Sequence, residues 1–539
     1  METHCNYIPY DKTGYFSKLV IDYLDDAPQL QQFYNLPPTI EGLQHSINQR
    51  KNFKHRKILV ETLQKRYEGL SLHEKVNANL QSLLNENTFT VTTAHQPNIF
   101  TGPLYVVYKI FHAIKLAEEL KQQFSQNDFV PVYFMGSEDA DLDELNNITI
   151  NQRKYVWQTK QTGAVGRMKV DKALLQLINE IEGQISVQPH GKKLIEIFRD
   201  AYKEKESIQQ STLKLLNSLF GEYGLIVLIP DDAAFKKIFQ PVIKKELTEQ
   251  FSYKAVNETA KRLEEHYKVQ ASGREINLFY LTDDKRERIE VADAREASSK
   301  MYEVRSLNKA WSEDEILKEL DEHPERFSPN VILRGAMQET ILPNIAFIGG
   351  GGELAYWIEL KEVFQQADVP YPVLLLRNSF LVMNEKQYQT IKKLGLTEAD
   401  IFKEEHVLMK QIVDINTNSN YALNGELKSF EDLYTILENR SAEIDVTLKH
   451  HTEALKTKAI KKLVELEKKL LRAEKRKFSE QQQQIQKIKS LLFPGGSLQE
   501  RVENVSGFYA EHNKEFLNSV YQHSKGLPQG FCVLVLNKN

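Results

Sequence analysis

The chain has 539 residues, of which 41% are hydrophobic and 27% charged, an ordinary globular composition that allows two to four domains or one core with large insertions. Its 70 basic and 74 acidic residues leave a net charge of -4, which excludes a basic footprint for nucleic acid and a polybasic membrane anchor. The two cysteines, Cys5 and Cys532, lie at opposite ends and exclude a disulfide framework or a multi-cysteine zinc site; Cys532, inside FCVLVL, reads as a buried inert thiol.

The N-terminus, METHCNYIPYDKTGYFSKLV, lacks the basic and apolar regions of a signal peptide, and no window has the ~18 apolar residues of a membrane span. The expected location is the cytoplasm. Residues up to about Asn85 read as helical, because LVETLQKRYEGL and VNANLQSLLNEN repeat apolar residues at three- and four-residue spacing. Strands and helices then alternate. TFTVTTA ends at Ala94 and precedes the amphipathic PLYVVYKIFHAIKLAEELKQQ; FVPVYFMG ends at Gly136; GLIVLIP runs from Gly224 to Pro230 and precedes AAFKKIFQPVIKKELTEQF. NIAFIGG ends at Gly350 and leads into ELAYWIELKEVFQQA, and PYPVLLLR ends at Arg377. Short unbroken apolar strands between helices predict an α/β fold whose parallel sheet is covered on both faces.

Two stretches interrupt the alternation: a polar, largely helical insertion near 145–220 and another near 255–335. The second contains INLFYLTDDKRERIEV, which reads as a hairpin around Thr282 to Lys285. The core is thus assigned to 1–380, a helical arm to 381–496, and a segment returning to the core to 497–539. In the arm, Leu448, Leu455, Ala459, Leu463, Leu466, Leu470 and Ala473 recur mostly at three- and four-residue steps, with a stutter at Ala459–Leu463. Phe478, Ile485, Ile488 and Leu492 extend the series. This predicts one helix of about 50 residues, roughly 75 Å long, forming a coiled-coil arm for a homodimer, with Glu385 to Val413 folding back on it. The bland alternative is a long helix packed on the body. FCVLVL is expected to add a strand to the core.

Ligands of an open parallel sheet bind outside the carboxyl ends of its strands, so those ends carry the candidate chemistry. After the first strand come His95 and Gln96, then Thr101 and Gly102 at a helix start whose free N–H groups favour a phosphate or carboxylate. A tight turn with a satisfied polar pair is the alternative. After the second come Glu138, Asp139 and Asp141, dense acids suited to an amine, to Mg²⁺ or to general-base work, although a helix cap explains some of them. Asp231 and Asp232 after the third strand read as caps. After the fourth, Gly349, Gly350, Gly351 and Gly352 permit close backbone approach, Glu353 opens a helix, and Trp357 follows one turn later. The run is neither a P-loop nor GxGxxG, and a hinge is its bland reading. After the fifth, Arg377 and Asn378 offer an anion clamp, and Arg334 in SPNVILRG is a second candidate; either arginine could be a structural ion pair instead.

These segments resemble the BshC family of bacillithiol biosynthesis. AHQPNIFTGPLYVVYKIFHAIKLA is similar to its TGQQ and TGPLY-type signature, and PVYFMGSEDADLDELNN to its SEDHD-type acidic segment. SPNVILRGAMQETILPNIAFIGGGGELAYWIELKEVF resembles its LRP…LLP…YIGGPGELAYW block, and LLFPGGSLQERVENV its late LFP…LQER segment. His95, Ala140 and Gly351 depart from the family's Gln, His and Pro. The resemblance implies a Rossmann-like core akin to class I synthetases and nucleotidylyltransferases, with two connecting insertions and a dimerising coiled-coil arm. It implies a ligase that adds cysteine to glucosaminyl malate by an amide bond, with small-molecule substrates and neither nucleic acid nor membrane as partner. ATP is the expected cosubstrate because a carboxylate must be activated before an amine attacks it; Mg²⁺ could accompany the nucleotide, and no tightly bound metal is expected. Glu138, Asp139, His95 and Glu353 are then the catalytic candidates. Gln96, Thr101, Gly102, Asp141, the four glycines, Trp357, Arg334, Arg377 and Asn378 are the binding candidates. The rival readings are an adenylate-forming ligase or nucleotidyl transferase acting on another small acid, and a non-enzymatic nucleotide-binding coiled-coil assembly protein.

Overall fold

A computed structural model describes residues 3–270, 273–292, 300–416, 422–527 and 530–537. The five apolar runs become five strands because turn residues bound each of them and nearly every position is buried. They are β1 (Thr88–His95), β2 (Asp128–Met135), β3 (Ile226–Leu228), β4 (Asn344–Gly349) and β5 (Val373–Leu376). All neighbours pair in parallel, in the order β3-β2-β1-β4-β5. Strand order therefore reverses between β1 and β4, where the Rossmann-like arrangement opens its crevice. Three helices follow strand ends: α1 (Tyr105–Gln123), α2 (Ala233–Glu249) and α3 (Gly351–Ile358). Leu116 and Leu120 of α1 join Phe89 and Val91 of β1 in one core cluster.

The first insertion, between β2 and β3, is a small hairpin (Asn147–Ile150 with Arg153–Val156) and three helices spanning Lys172 to Phe220. In the second, Leu278–Leu281 pairs antiparallel with Arg286–Arg288 around the predicted turn, and with Phe327–Pro329 on its other side.

Three sequence expectations change. The N-terminal region is not wholly helical: Thr3–Ile8 is a strand. It pairs antiparallel with Phe531–Leu536, which pairs in parallel with Ser379–Asn384. The last strand therefore joins a separate three-stranded sheet rather than the core sheet. Only Arg377 and Asn378 separate β5 from Ser379–Asn384, so the chain leaves one sheet and enters the next at that point. Cys532 is no free thiol, because this pairing sets the chain ends side by side and Cys5 and Cys532 form a disulfide with Cα atoms 6.3 Å apart.

The arm also differs. The expected single helix is two, Val446–Arg476 and Ser479–Leu492, broken at Lys477 and Phe478. The second packs on the body through Ile485, Ile488 and Leu492, all buried. The first runs beside Asn424–Ile444, a partner the pattern had not named, while the end of the expected fold-back region, Glu405–Asn416, packs against both arm helices, with Gln482 and Gln486 donating to Glu405. Among the described residues no helix is long and apolar enough to cross a membrane.

Candidate active site

A cavity of about 660 Å³ opens at the carboxyl edge of the sheet, a size suited to a nucleotide or a substituted sugar. Its lining draws on four of the five strand ends flagged by the sequence: His95 and Gln96 after β1, Glu138 and Asp139 after β2, Gly350, Gly352 and Glu353 after β4, and Arg377 after β5. Arg334 lines it too, with its Nη2 donating to the Tyr356 hydroxyl at 2.8 Å.

The four lining carboxylates have different surroundings. Glu138 is 7% exposed, ion-paired with the buried Lys236, and accepts from Ser328 Oγ at 2.7 Å. Lys236 also donates to the Phe327 carbonyl at 2.8 Å. Glu353 is ion-paired with buried Lys109 and accepts from the Gly350 N–H at 2.9 Å, a capping interaction at the start of α3. Burial opposes its ionisation, but Lys109 outweighs that and holds the carboxyl below its usual range. Asp139 accepts from Gln96 Nε2 at 3.2 Å and from the Asp141 N–H at 3.1 Å, and forms no ion pair among the described residues. Burial, then Asp141 and Asp139, raise the pKa of Glu144.

Burial, followed by the nearby Lys109 charge, pushes the His95 imidazole down to about 3, so it is neutral at pH 7 and faces the Tyr105 hydroxyl at 3.2 Å. Burial pushes that phenol up to about 12. The pair is a neutral hydrogen-bonding unit rather than a cationic clamp.

Several expected ligand groups are engaged elsewhere. Arg377 is committed to Glu500 at 2.6 Å, to Ser379 Oγ at 2.9 Å and to the Asn378 carbonyl at 3.0 Å, the ion-pair alternative of the sequence reading. It still covers one wall, with its guanidinium 5.2 Å from the Tyr105 ring centre. Thr101 and Gly102 lie outside the lining: Asn504 Nδ2 donates to the Phe100 carbonyl at 2.8 Å and to the Gly102 carbonyl at 2.5 Å. The Leu104 N–H is taken by the Glu503 carbonyl, so the helix start does not face the cavity as an open anion site. Positive φ at Phe100, Thr101 and Gly102 keeps this turn tight. Asp141 caps a short helix by accepting from the Glu144 N–H. Trp357 is fully buried against Phe347, Phe364 and Tyr371 and faces the core. Gly349 and Gly351 are outside the lining, and a Cβ on Gly351 would meet Val20 and Phe16. Asn378 bonds the Lys525 backbone instead of the cavity.

The cavity also contains residues the sequence reading passed over: Tyr105, Lys109, Arg274, Arg286, Arg288 and Arg501. Lys109 carried a signal, a lone cation inside the apolar YVVYKIFHAI run. Arg286 and Arg288 carried another, since alternate residues of a strand share a face.

A model of the family "Bacillithiol biosynthesis BshC, N-terminal Rossmann-like domain" matches residues 1–378, and one of its C-terminal coiled-coil domain matches residues 380–536. Similar chains come from Flavobacterium psychrophilum (41% identical, covering 99% of both chains) and Flavobacterium johnsoniae (39%, covering 99% of this chain and 100% of the relative). A third, from Christiangramia forsetii, is 37% identical over 100% of both. All three carry the name "Putative cysteine ligase BshC". A solved Campylobacter jejuni chain titled as an arginyl-tRNA synthetase of that same provisional standing covers 81% of this chain and 99% of its own at 12% identity, with a TM-score of 0.21, too remote a likeness to bear on fold or chemistry.

Proposed function

This chain belongs to the BshC family, and on that premise we propose that it joins cysteine to glucosaminyl malate through an amide bond, with ATP activating the cysteine carboxylate. The carrying observation is the unequal treatment of the cavity's acids. Lys236 pairs with Glu138 and Lys109 pairs with Glu353, while Asp139 has no ion-pair partner among the described residues and accepts only from Gln96 and the Asp141 N–H. An amine attacks only as the free base, so an ammonium must first lose a proton, and a carboxylate within hydrogen-bonding reach is the group to accept it. Asp139, oriented by Gln96, takes that role. The amine nitrogen then bonds to the cysteine carbonyl carbon, and the activating phosphate or adenylate departs with one former carboxylate oxygen. His95 and Tyr105, both neutral, orient substrate without competing for the proton. Gly350 and Gly352 let a ligand approach the start of α3, since a Cβ at Gly352 would meet nothing within 4 Å.

The same reading makes the protein a cytoplasmic homodimer joined through the arm, whose first long helix and its partner expose Leu433, Ile436, Leu448, Leu455 and Leu466. Mass spectrometry of purified protein with cysteine, glucosaminyl malate and ATP tests the chemistry. The expected product has the mass of both substrates less one water and requires all three reagents. No such product, with pyrophosphate exchange driven by a different small acid, would give the assignment to the adenylate-forming rival.

A further inference from the structure

The chain as a whole is acidic at -4, yet its cavity is lined by seven cationic side chains against four carboxylates. Local pairing widens the imbalance. Lys109 and Arg377 are matched by Glu353 and Glu500, and Glu138 is matched by Lys236 from behind the wall. Four of the remaining cations come from the second insertion and the helix after it: Arg274, Arg286, Arg288 and Arg334.

Each has donors to spare. Arg286 is fixed by Ser328 Oγ at 3.3 Å and the Pro329 carbonyl at 3.2 Å and lies 3.9 Å from the Phe279 ring centre; its Nη1 donates to nothing among the described residues. Asp139 and Glu138 are near enough to influence its charge, but neither pairs with it within 4.0 Å. The Arg334 Nη1 is buried without a hydrogen-bond partner among the described residues. Arg274 and Arg288 are exposed, and their side chains form no hydrogen bond or ion pair among the described residues. Like charges lining one cavity repel, as Arg288 does Arg286, and a buried guanidinium N–H without an acceptor is unfavourable; an anion removes both costs.

We propose that Arg274, Arg286, Arg288 and Arg334 form a subsite for a multiply charged anionic group, an oligophosphate or a dicarboxylate, held beneath the hairpin of the second insertion. Planar guanidinium groups match both chemistries through paired N–H donors, which a lysine cluster would not do. The subsite lies away from the helix start at Gly102, where the sequence reading had put the anion. The two candidate sources follow from the proposed ligation, on which their naming rests: the phosphates of ATP, or the malyl end of the acceptor.

Calorimetry with inorganic tripolyphosphate and with L-malate as separate probes tests the subsite on the full chain, comparing wild type, R274Q/R288Q and R334K. The expected result is binding of at least one probe by wild type, weakened about tenfold or more in R274Q/R288Q, with loss also in R334K and tightening at low salt. The more tightly bound probe identifies the source. Arg274 and Arg288 are both exposed, so an unchanged thermal midpoint shows that the fold is intact, and R334K keeps charge while removing the fork. Failure of both probes to bind wild type, or equal binding by wild type and R274Q/R288Q, overturns the subsite. Neither probe is turned over, which separates the two claims. Probe binding without amide formation keeps the subsite and removes the ligation reading; amide formation with unchanged KM in R274Q/R288Q does the reverse.

Discussion

Glu138 and Asp139 are adjacent acids with opposite situations, and substituting them should have opposite consequences. Glu138 is nearly buried and neutralises Lys236, which has no exposure at all. Glu138→Ala strands that ammonium and should cost about 3–5 kcal/mol in urea unfolding. Asp139→Ala should shift stability by less than about 1 kcal/mol while abolishing amide formation. Equal destabilisation by both would contradict this division. The sequence showed that acids cluster after β2 but not which of them a lysine neutralises, because Lys236 lies nearly a hundred residues downstream.

A second buried carboxyl, Glu339, gives a pH signature. Burial raises it from 4.5 to about 7, and its Oε2 has no hydrogen-bond partner, while Gln338 and Asn344 both donate to Oε1. Its folded pKa lies above the unfolded one, so its stabilising contribution is full below about 4.5 and is lost as pH rises through about 7. Glu339→Gln cannot ionise, so its stability relative to wild type should rise between pH 5 and pH 9, by on the order of 3 kcal/mol at most. Parallel thermal-midpoint curves for the two proteins over that range would refute the assignment.

At the scale of elements, periodicity located what local pattern controls. Five strands appear where apolar runs meet turn residues, and the hairpin turns at Thr282 to Lys285. Pattern failed where tertiary partners decide. The stripe from Leu448 to Leu492 reads as one helix, yet its two halves serve different surfaces and the chain breaks between them. Likewise, the helix start at Gly102 has the local form of an anion site, but Asn504 and Glu503 from the far end of the chain cover it. The arm makes its own prediction. Leu448, Leu455 and Leu466 are 42–46% exposed on the first long helix, whereas Leu463 and Leu470 are half-buried. L448K/L455K/L466K should therefore give a folded monomer by light scattering, whereas L463K/L470K should loosen the helical pair itself. A monomeric wild type would remove the dimer.

At the scale of the molecule, the two chain ends lie together and the disulfide ties them. Its 527-residue separation is a contact no local pattern could reveal. Because the pair lies in the separate three-stranded sheet and not in the cavity lining, C5S/C532S should lower the thermal midpoint and leave turnover intact. A folded variant without turnover would bring a thiol into the chemistry. The whole fold brings carboxylates of the sheet edge and arginines of the inserted hairpin into the lining of one cavity, which on the proposed function a single ligand would span. The most direct test is a crystal structure with glucosaminyl malate bound. The amine is expected within hydrogen-bonding distance of Asp139 and Gln96, with the acid groups toward the arginines; a ligand outside this cavity, or one bound in it with its amine away from Asp139, would contradict the proposed function.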